Sequence, residues 1–322
     1  MKRVIALSLL MLGFAVANWS CAPETGALVV QTPKEAIPVK PKIEVYKKIG
    51  DIELNVHTFR APGEGAHPCV IWFFNGGWGG FDATKVYAHS EYLNSRGVTS
   101  IAAEVRVRGK HKTSPREAIL DGRSAVRWVR SHAAELGVDP QRIAVSGSSA
   151  AGVLSACTVL LDGLEGWDDP ADDQQVSARP NAAIPLCACF DSTLSKRLEI
   201  FGGVEGALKS SPMHHVAAGA PPMLVIHTRD DESVPFTHAV KFAELSRAAG
   251  NRCDLVLWDE GGHGFFGYWD GKNKCFFETL RAMDIFLASL GWVKGDPTID
   301  NFHDTQGLAE EFLRNRTEKN RE

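Results

Sequence analysis

The sequence predicts an α/β fold built on one mostly parallel sheet, and three observations carry that expectation. Short continuous apolar runs, "PCVIWFF" (68–74) and "VTSIAAE" (98–104) among them, read as strands covered on both faces. Stretches with helical apolar spacing separate later runs of the same kind. Only the first two strand candidates alternate apolar with polar residues, as an edge pair does.

In chain order, the first 41 residues stand apart. "MKRVIALSLLMLGFAVANWSCAPE" opens with Lys2 and Arg3, runs apolar from Val4 to Val16 and offers small residues at Ala15 and Ala17. That is the pattern of a secretory signal peptide (1–17) cleaved after Ala17, so the protein is expected outside the cytoplasm, periplasmic or extracellular. The apolar stretch falls short of the roughly 18 residues that a membrane span needs. Cys21 leaves lipid attachment as an alternative, although Asn18-Trp19-Ser20 is a poor setting for it. Residues 18–41 read as a linker.

"KIEVYKK" and "IELNVHTF" follow as an antiparallel pair, then the runs at 68–74 and 98–104. Ser114-Pro115 has the chemistry of an N-cap and first helical residue. Ala118, Ile119, Ala125, Val126, Val129, Ala133 and Leu136 then recur at helical spacing up to Gly137. "RIAVSG" is the next strand and the stretch after Ser149 a helix. "AAIPLC", "PMLVIHT" and "CDLVLW" complete the strands, with helices over Thr237–Ala249 and Cys275–Leu290.

Composition excludes several classes. The 322 residues are 44% hydrophobic and 23% charged, with a formal net charge of −4 and no block of like charge, so neither nucleic acid nor an anionic membrane is an expected partner. Seven cysteines show no metal-ligand spacing with histidines, and most sit where small buried hydrophobes belong. One disulfide stays open. No metal or cofactor is implied. The acidic stretch "GWDDPADDQQVSARPNA" matches no calcium loop and reads as a solvated loop.

The chemistry concentrates at "VSGSSAAG" (145–152). On a strand-to-helix turn, a serine flanked by very small residues two places away can present its hydroxyl at the sheet edge. Gly147 and Ala151 fit Ser149 in this way, with Ser148 as the rival. An acid follows a strand in "LVIHTRDDESVP", where Asp231 is preferred and Asp230 is the rival; "WDEGGHGFF" then places His263 between glycines after the next strand. Serine, acid and histidine in that order supply a nucleophile, a general base and the group that orients the base. The other ten histidines read mostly as surface or packing residues. After "VIWFF" comes Asn75-Gly76-Gly77-Trp78, whose glycine N–H groups, with that of Ala150, can serve a developing oxyanion. Trp78 has two open readings, an aromatic face for substrate or core packing.

From about Lys42 to Leu290 the chain resembles the α/β-hydrolase esterases with HGGGW and GxSAGG motifs, the group related to acetyl and feruloyl esterases. "FFNGGWGG", "VSGSSAAG", "HTRDDESVPF" and "GGHGFF" carry the resemblance. It implies Ser149 as nucleophile, Asp231 as acid and His263 as base, with Gly76, Gly77 and Ala150 as oxyanion donors. Phe74 and Asn75 stand where the group often has His-Gly, which removes a usual support behind the loop. Asparagine tolerates positive φ, so a turn at Asn75 is expected. Ala151 replaces a glycine. The implied layout is a catalytic domain over 42–292, a small cap over 190–220 and a tail over 293–322. The implied activity is a secreted serine esterase taking short acyl, acetyl-type esters of carbohydrates or other small ester substrates. A serine peptidase on this fold and a non-catalytic binding protein remain the alternatives, and the oligomeric state is left open.

Overall fold

The computed structural model describes residues 40–269, 273–302 and 307; the signal-peptide, Ala17 and Cys21 expectations lie outside them, as does most of the tail. Eight strands form the sheet: β1 (Lys42–Ile49), β2 (Ile52–Phe59), β3 (His67–Phe73), β4 (Thr99–Ala103), β5 (Val138–Ser148), β6 (Ala182–Leu186), β7 (Met223–Thr228) and β8 (Cys253–Trp258). Their spatial order is β1-β2-β4-β3-β5-β6-β7-β8. β2 pairs antiparallel with both neighbours, and every other pair is parallel. Strands β3, β4 and β6 and the second half of β5 are buried, because helices cover both faces.

The main helices are α1 (Tyr87–Ser95), α2 (Pro115–Ser131), α3 (Ala150–Leu160), α4 (Thr237–Ala248) and α5 (Lys274–Ser289). One core layer joins α2, α3 and α4 to the sheet through residues such as Val126, Leu154 and Phe242. The opposite layer joins α1 and α5 through Leu93, Phe276 and Leu280. A sheet packed on both faces by helices is the α/β-hydrolase arrangement that the sequence predicts.

Two departures have local causes. The helix expected up to Gly137 closes at Ser131, because the backbone N–H and Nδ1 of His132 both reach the Trp128 carbonyl while its ring stacks on Trp128. A short turn, Ala133–Leu136, follows and ends on left-handed Gly137. The start of α2 has the expected cap, reinforced by Glu117 closing a capping box on Ser114.

The acidic stretch after α3 is a largely exposed loop, as expected, but several of its carboxylates are bound to cations of the core. Arg123 pairs with Asp162 and Asp168, Arg127 with Asp168 and Asp172, and Lys47 with Asp169. Two arginines one helical turn apart on α2 meet carboxylates whose partners sequence spacing does not reveal.

The path of the chain fixes where a site can form. From β3 it moves outward to β4, then returns across β3 to β5, so α1 and α3 leave neighbouring strand ends for opposite faces. That switch opens a crevice at the carboxyl ends of β3 and β5.

Candidate active site

Ser149 stands directly after β5 with φ 57° and ψ −120°, a backbone conformation that L-residues rarely hold. Close packing sustains it. A Cβ on Gly147 would lie 2.7 Å from the Ala151 Cβ and 2.8 Å from the Phe73 carbonyl oxygen. A Cβ on Gly152 would lie 2.7 Å from the Leu186 carbonyl oxygen. Strand and helix therefore meet through hydrogen atoms at Gly147 and Gly152, while the methyl group of fully buried Ala151 is accommodated. The Ser149 N–H donates to the Leu186 carbonyl at 2.9 Å, and its own carbonyl accepts from Val153, starting α3. Ser148 lies in β5, paired with Leu186 and 7% exposed.

The loop after β3 supplies the second part. Asn75 and Gly76 pair with Phe81 and Gly80 in a minimal hairpin, so the turn expected at Asn75 falls instead at Gly77 (φ 53°) and Trp78 (φ 64°). Four successive carbonyls are each held by a donor. Gly76 accepts from Gly79 N–H (2.9 Å), Gly77 from the Arg197 guanidinium (2.7 Å), Trp78 from Arg108 N–H (2.8 Å) and Gly79 from Gly109 N–H (2.9 Å). In a trans peptide the N–H points away from its carbonyl, so fixing the Gly76 carbonyl fixes the Gly77 N–H. Phe74 packs into the α1–α5 side of the core, filling part of the space behind the loop with apolar contact.

The acid and base come from the ends of β7 and β8. His263 Nδ1 lies 2.8 Å from Asp231 Oδ2. A carboxylate only accepts, so Nδ1 carries the proton and Nε2 is left as the basic nitrogen. The other oxygen of Asp231 accepts from Ser233 N–H (2.8 Å) and Val234 N–H (2.9 Å). Burial opposes ionisation of Asp231, but the bonds from His263 and these N–H groups outweigh it and hold the carboxyl below its ordinary range.

Asp230, the rival acid, has a different place. Its two oxygens accept from Gly261 N–H (3.0 Å) and Gly262 N–H (2.9 Å), and it therefore anchors the backbone that carries His263. Thr228 Oγ1 donates to the Gly262 carbonyl, and Asn273 Nδ2 reaches the Phe265 and Gly267 carbonyls. From below, His89 Nε2 donates to the Phe266 carbonyl at 2.8 Å.

Ser149, Ala150, His263, Gly77 and Trp78 line one cavity of about 450 Å³, a size suited to a small ligand. Gly76, one residue back in the hairpin, is not among its lining residues. Trp78 is 6% exposed and meets Phe201 edge to face, so it both packs in the core and shows a rim to the cavity. From the 190–220 segment come Leu194 and Phe201, on two short turns of helix, and Lys196 and Arg197, in the link between those turns.

Three contacts had no sequence signal strong enough to identify them. His227, fully buried, accepts the Thr228 N–H on Nδ1, and its Nε2 lies 3.9 Å from Asp231 Oδ2 with no closer polar partner among the described residues. Burial holds its pKa below the ordinary histidine value. Cys187 (φ 39°) packs its thiol 3.6 Å from the His263 carbonyl, and burial raises its pKa. Arg197 is the third. The six cysteines among the described residues are all free thiols.

Comparison with known proteins places these features in a family. The BD-FAE family model matches residues 57–191, and the Prolyl oligopeptidase family model matches residues 202–288. Esterase LipC of Mycobacterium tuberculosis is 29% identical over 68% of this chain and 58% of its own length. The acetylxylan esterase of Xylanibacter ruminicola is 27% identical over 66% of this chain and 42% of its own length. The chain thus spans less than two thirds of these curated relatives. Among solved structures, the propionate-bound esterase Est2 of Thermogutta terrifontis is 35% identical with a TM-score of 0.74, covering 80% of this chain and 97% of that one. With this likeness extending over the whole of a solved esterase, the chain belongs to the carboxylic ester hydrolases of the α/β-hydrolase fold.

Proposed function

We propose that the protein is an exported serine carboxylic-ester hydrolase that acts through an acyl-enzyme on short acyl, acetyl-type esters, with acylated carbohydrates as the substrate class. The observation that carries this reading is the shared cavity, where Ser149 lies with a histidine already bound to a buried carboxylate. In the reaction, Ser149 Oγ bonds to the ester carbonyl carbon while His263 Nε2 takes the hydroxyl proton. The carbonyl oxygen becomes an oxyanion and accepts N–H groups from Gly77 and Ala150, with Gly76 as a further donor. Collapse expels the alcohol, which takes the proton from His263. Water, activated by the same nitrogen, then releases the acid. Asp231 stays ionised and holds the imidazole in the tautomer this requires.

Three observations support the short-acyl and carbohydrate parts. The cavity is small, and the Phe190–Ala220 segment consists of short turns rather than a long apolar lid. Related esterase structures hold propionate and butyrate. One relative is an acetylxylan esterase. Export rests on the N-terminal sequence pattern.

Turnover should fall steeply from acetate to butyrate to octanoate esters of one alcohol, by roughly 1–3 kcal/mol per misfitting methylene. A preference for octanoate would overturn the short-acyl reading. The Prolyl oligopeptidase match over the acid and histidine segment favours a peptidase as the second reading. Acetyl-amino-acid anilides cleaved faster than the matching esters would select it.

A further inference from the structure

The cavity that holds Ser149 has a charge character opposite to that of the chain. The protein carries 39 acidic residues against 35 lysines and arginines. Yet no aspartate or glutamate lines this cavity, while Lys196, Arg197, His238 and His263 all do. Of these, Lys196 and Arg197 are adjacent in sequence and are the permanent cations at neutral pH.

Their surroundings leave them available. Neither Lys196 nor Arg197 forms an ion pair among the described residues. Asp191, the acid earlier in the same segment, accepts from the Thr193 N–H and hydroxyl and lies 3.9 Å from His214. Arg197 is also held in place. One nitrogen of its guanidinium donates to the Gly77 carbonyl at 2.7 Å, beside the predicted oxyanion donors. A guanidinium carries five N–H groups, so this contact leaves others free and lowers the ordering cost of binding an anion.

We propose that Lys196 and Arg197 form a subsite for a carboxylate on the ester substrate, close to the scissile bond. This rests on the esterase reading given above and narrows its substrate class to anionic esters. A carboxylate suits the arrangement because its two oxygens can accept from the guanidinium fork while the ammonium adds a point charge. Both side chains are exposed at the cavity rim, where Trp78, Val153, Leu194 and Phe201 supply apolar wall, so salt screens the attraction. The carboxylate can belong to the alcohol part of the ester or to its acyl part, and the substrates below separate the two.

On the alcohol side, 4-acetoxyphenylacetate is compared with its neutral amide, 4-acetoxyphenylacetamide. On the acyl side, ethyl hydrogen succinate is compared with ethyl butyrate. The anionic member of one pair should show kcat/KM about tenfold higher at low ionic strength, chiefly through KM, and the preference should shrink as salt is added. Lys196→Glu should invert that preference. Equal kcat/KM within both pairs, or an anion preference that survives Lys196→Glu, would overturn the subsite. Calorimetry on Ser149→Ala protein with 4-acetoxyphenylacetate and ethyl hydrogen succinate reads binding without turnover. Salt-sensitive binding of at least one, weakened about tenfold by Lys196→Glu, is expected; no binding of either overturns the proposal. Failure of the esterase reading shows separately, as no hydrolysis of any of the four esters.

Discussion

The elbow that carries Ser149 and the loop that carries His263 reach the same cavity but are held by different physics. The elbow is fixed by exclusion. Gly147 and Gly152 are so closely covered that one added carbon meets backbone oxygen, and Ser149 keeps a strained φ because no other path fits. The His263 loop is fixed by polar contacts: Asp230 and Thr228 above it, Asn273 from the next helix, His89 beneath. The elbow should therefore fail when volume is added, and the loop when a hydrogen-bonding group is removed. Nucleophile geometry is built into the strand–helix packing, whereas base geometry is set by side-chain hydrogen bonds, two of them from the titratable groups Asp230 and His89.

The hardest break is at the reacting groups. Ser149→Ala should lower turnover by 10⁴-fold or more, on the order seen for nucleophile loss in serine hydrolases, and abolish fluorophosphonate labelling while the circular dichroism spectrum is kept. Ser148→Ala should still label; a dead Ser148 variant would move the nucleophile by one residue. Asp231→Asn should cost about 10⁴ in kcat, because an amide can favour the wrong imidazole tautomer. Asp230→Asn sharpens the contrast. It loosens the loop without touching the imidazole, and a loss of about tenfold is expected. Equal losses in the two variants would leave the choice of acid undecided between neighbours.

Gly77→Val should lower kcat by about 10²–10³ through a displaced donor. The new side chain meets the Arg197 guanidinium, 2.8 Å from the Cβ position, and β-branching disfavours the positive φ. Gly147→Ala tests the elbow by volume alone. Urea titration should show a loss of about 1–3 kcal/mol, typical of an overpacked core. An unchanged midpoint would show that the elbow gives way more easily than its contacts imply.

The most gradual effect concerns pH. His89 is fully buried, and desolvation, only partly offset by its bond to Phe266, lowers its pKa from 6.5 to about 4. Because the unfolded chain binds this proton more readily, the stability contribution is complete above about pH 6.5. It declines as pH falls toward 4 and is constant below that. The span amounts to about 3 kcal/mol. His89→Gln keeps a donor for the Phe266 carbonyl and should flatten the urea midpoint across that window. Asp231, whose carboxyl is held low, loses its contribution only at still lower pH.

The sheet was legible because burial on both faces writes itself as continuous apolar runs: "PCVIWFF", "RIAVSG" and "PMLVIHT" all fall on strands. Helix α1 was not legible, since Tyr87–Ser95 buries His89, Ser90, Glu91 and Asn94 beside its apolar residues and shows no clean stripe. At the site, spacing sufficed to nominate Ser149, Asp231 and His263, because each follows a strand end and such ends converge on one edge. It could not show which oxygen of Asp231 faces His263, nor that Asp230 turns to glycine N–H groups. Arg197 was out of reach for a simpler reason: it meets Gly77 across 120 residues. The acidic stretch was legible as a loop but not as a clasp, because composition shows charges but not their partners.

That same stretch changes how the chain should meet proteases and heat. Residues 162–177 are rich in Asp and include Pro170 and two glutamines, the kind of polar segment that invites nicking. Arg123 and Arg127 bind it to α2, and the Arg127 guanidinium also holds the Val176 carbonyl, so a protease would have to peel away half-buried ion pairs before the chain could extend into its cleft. Warming lowers the penalty for desolvating such charges while apolar gain levels off. The clasp therefore weakens less than the core around it as temperature rises, and limited digestion should begin elsewhere.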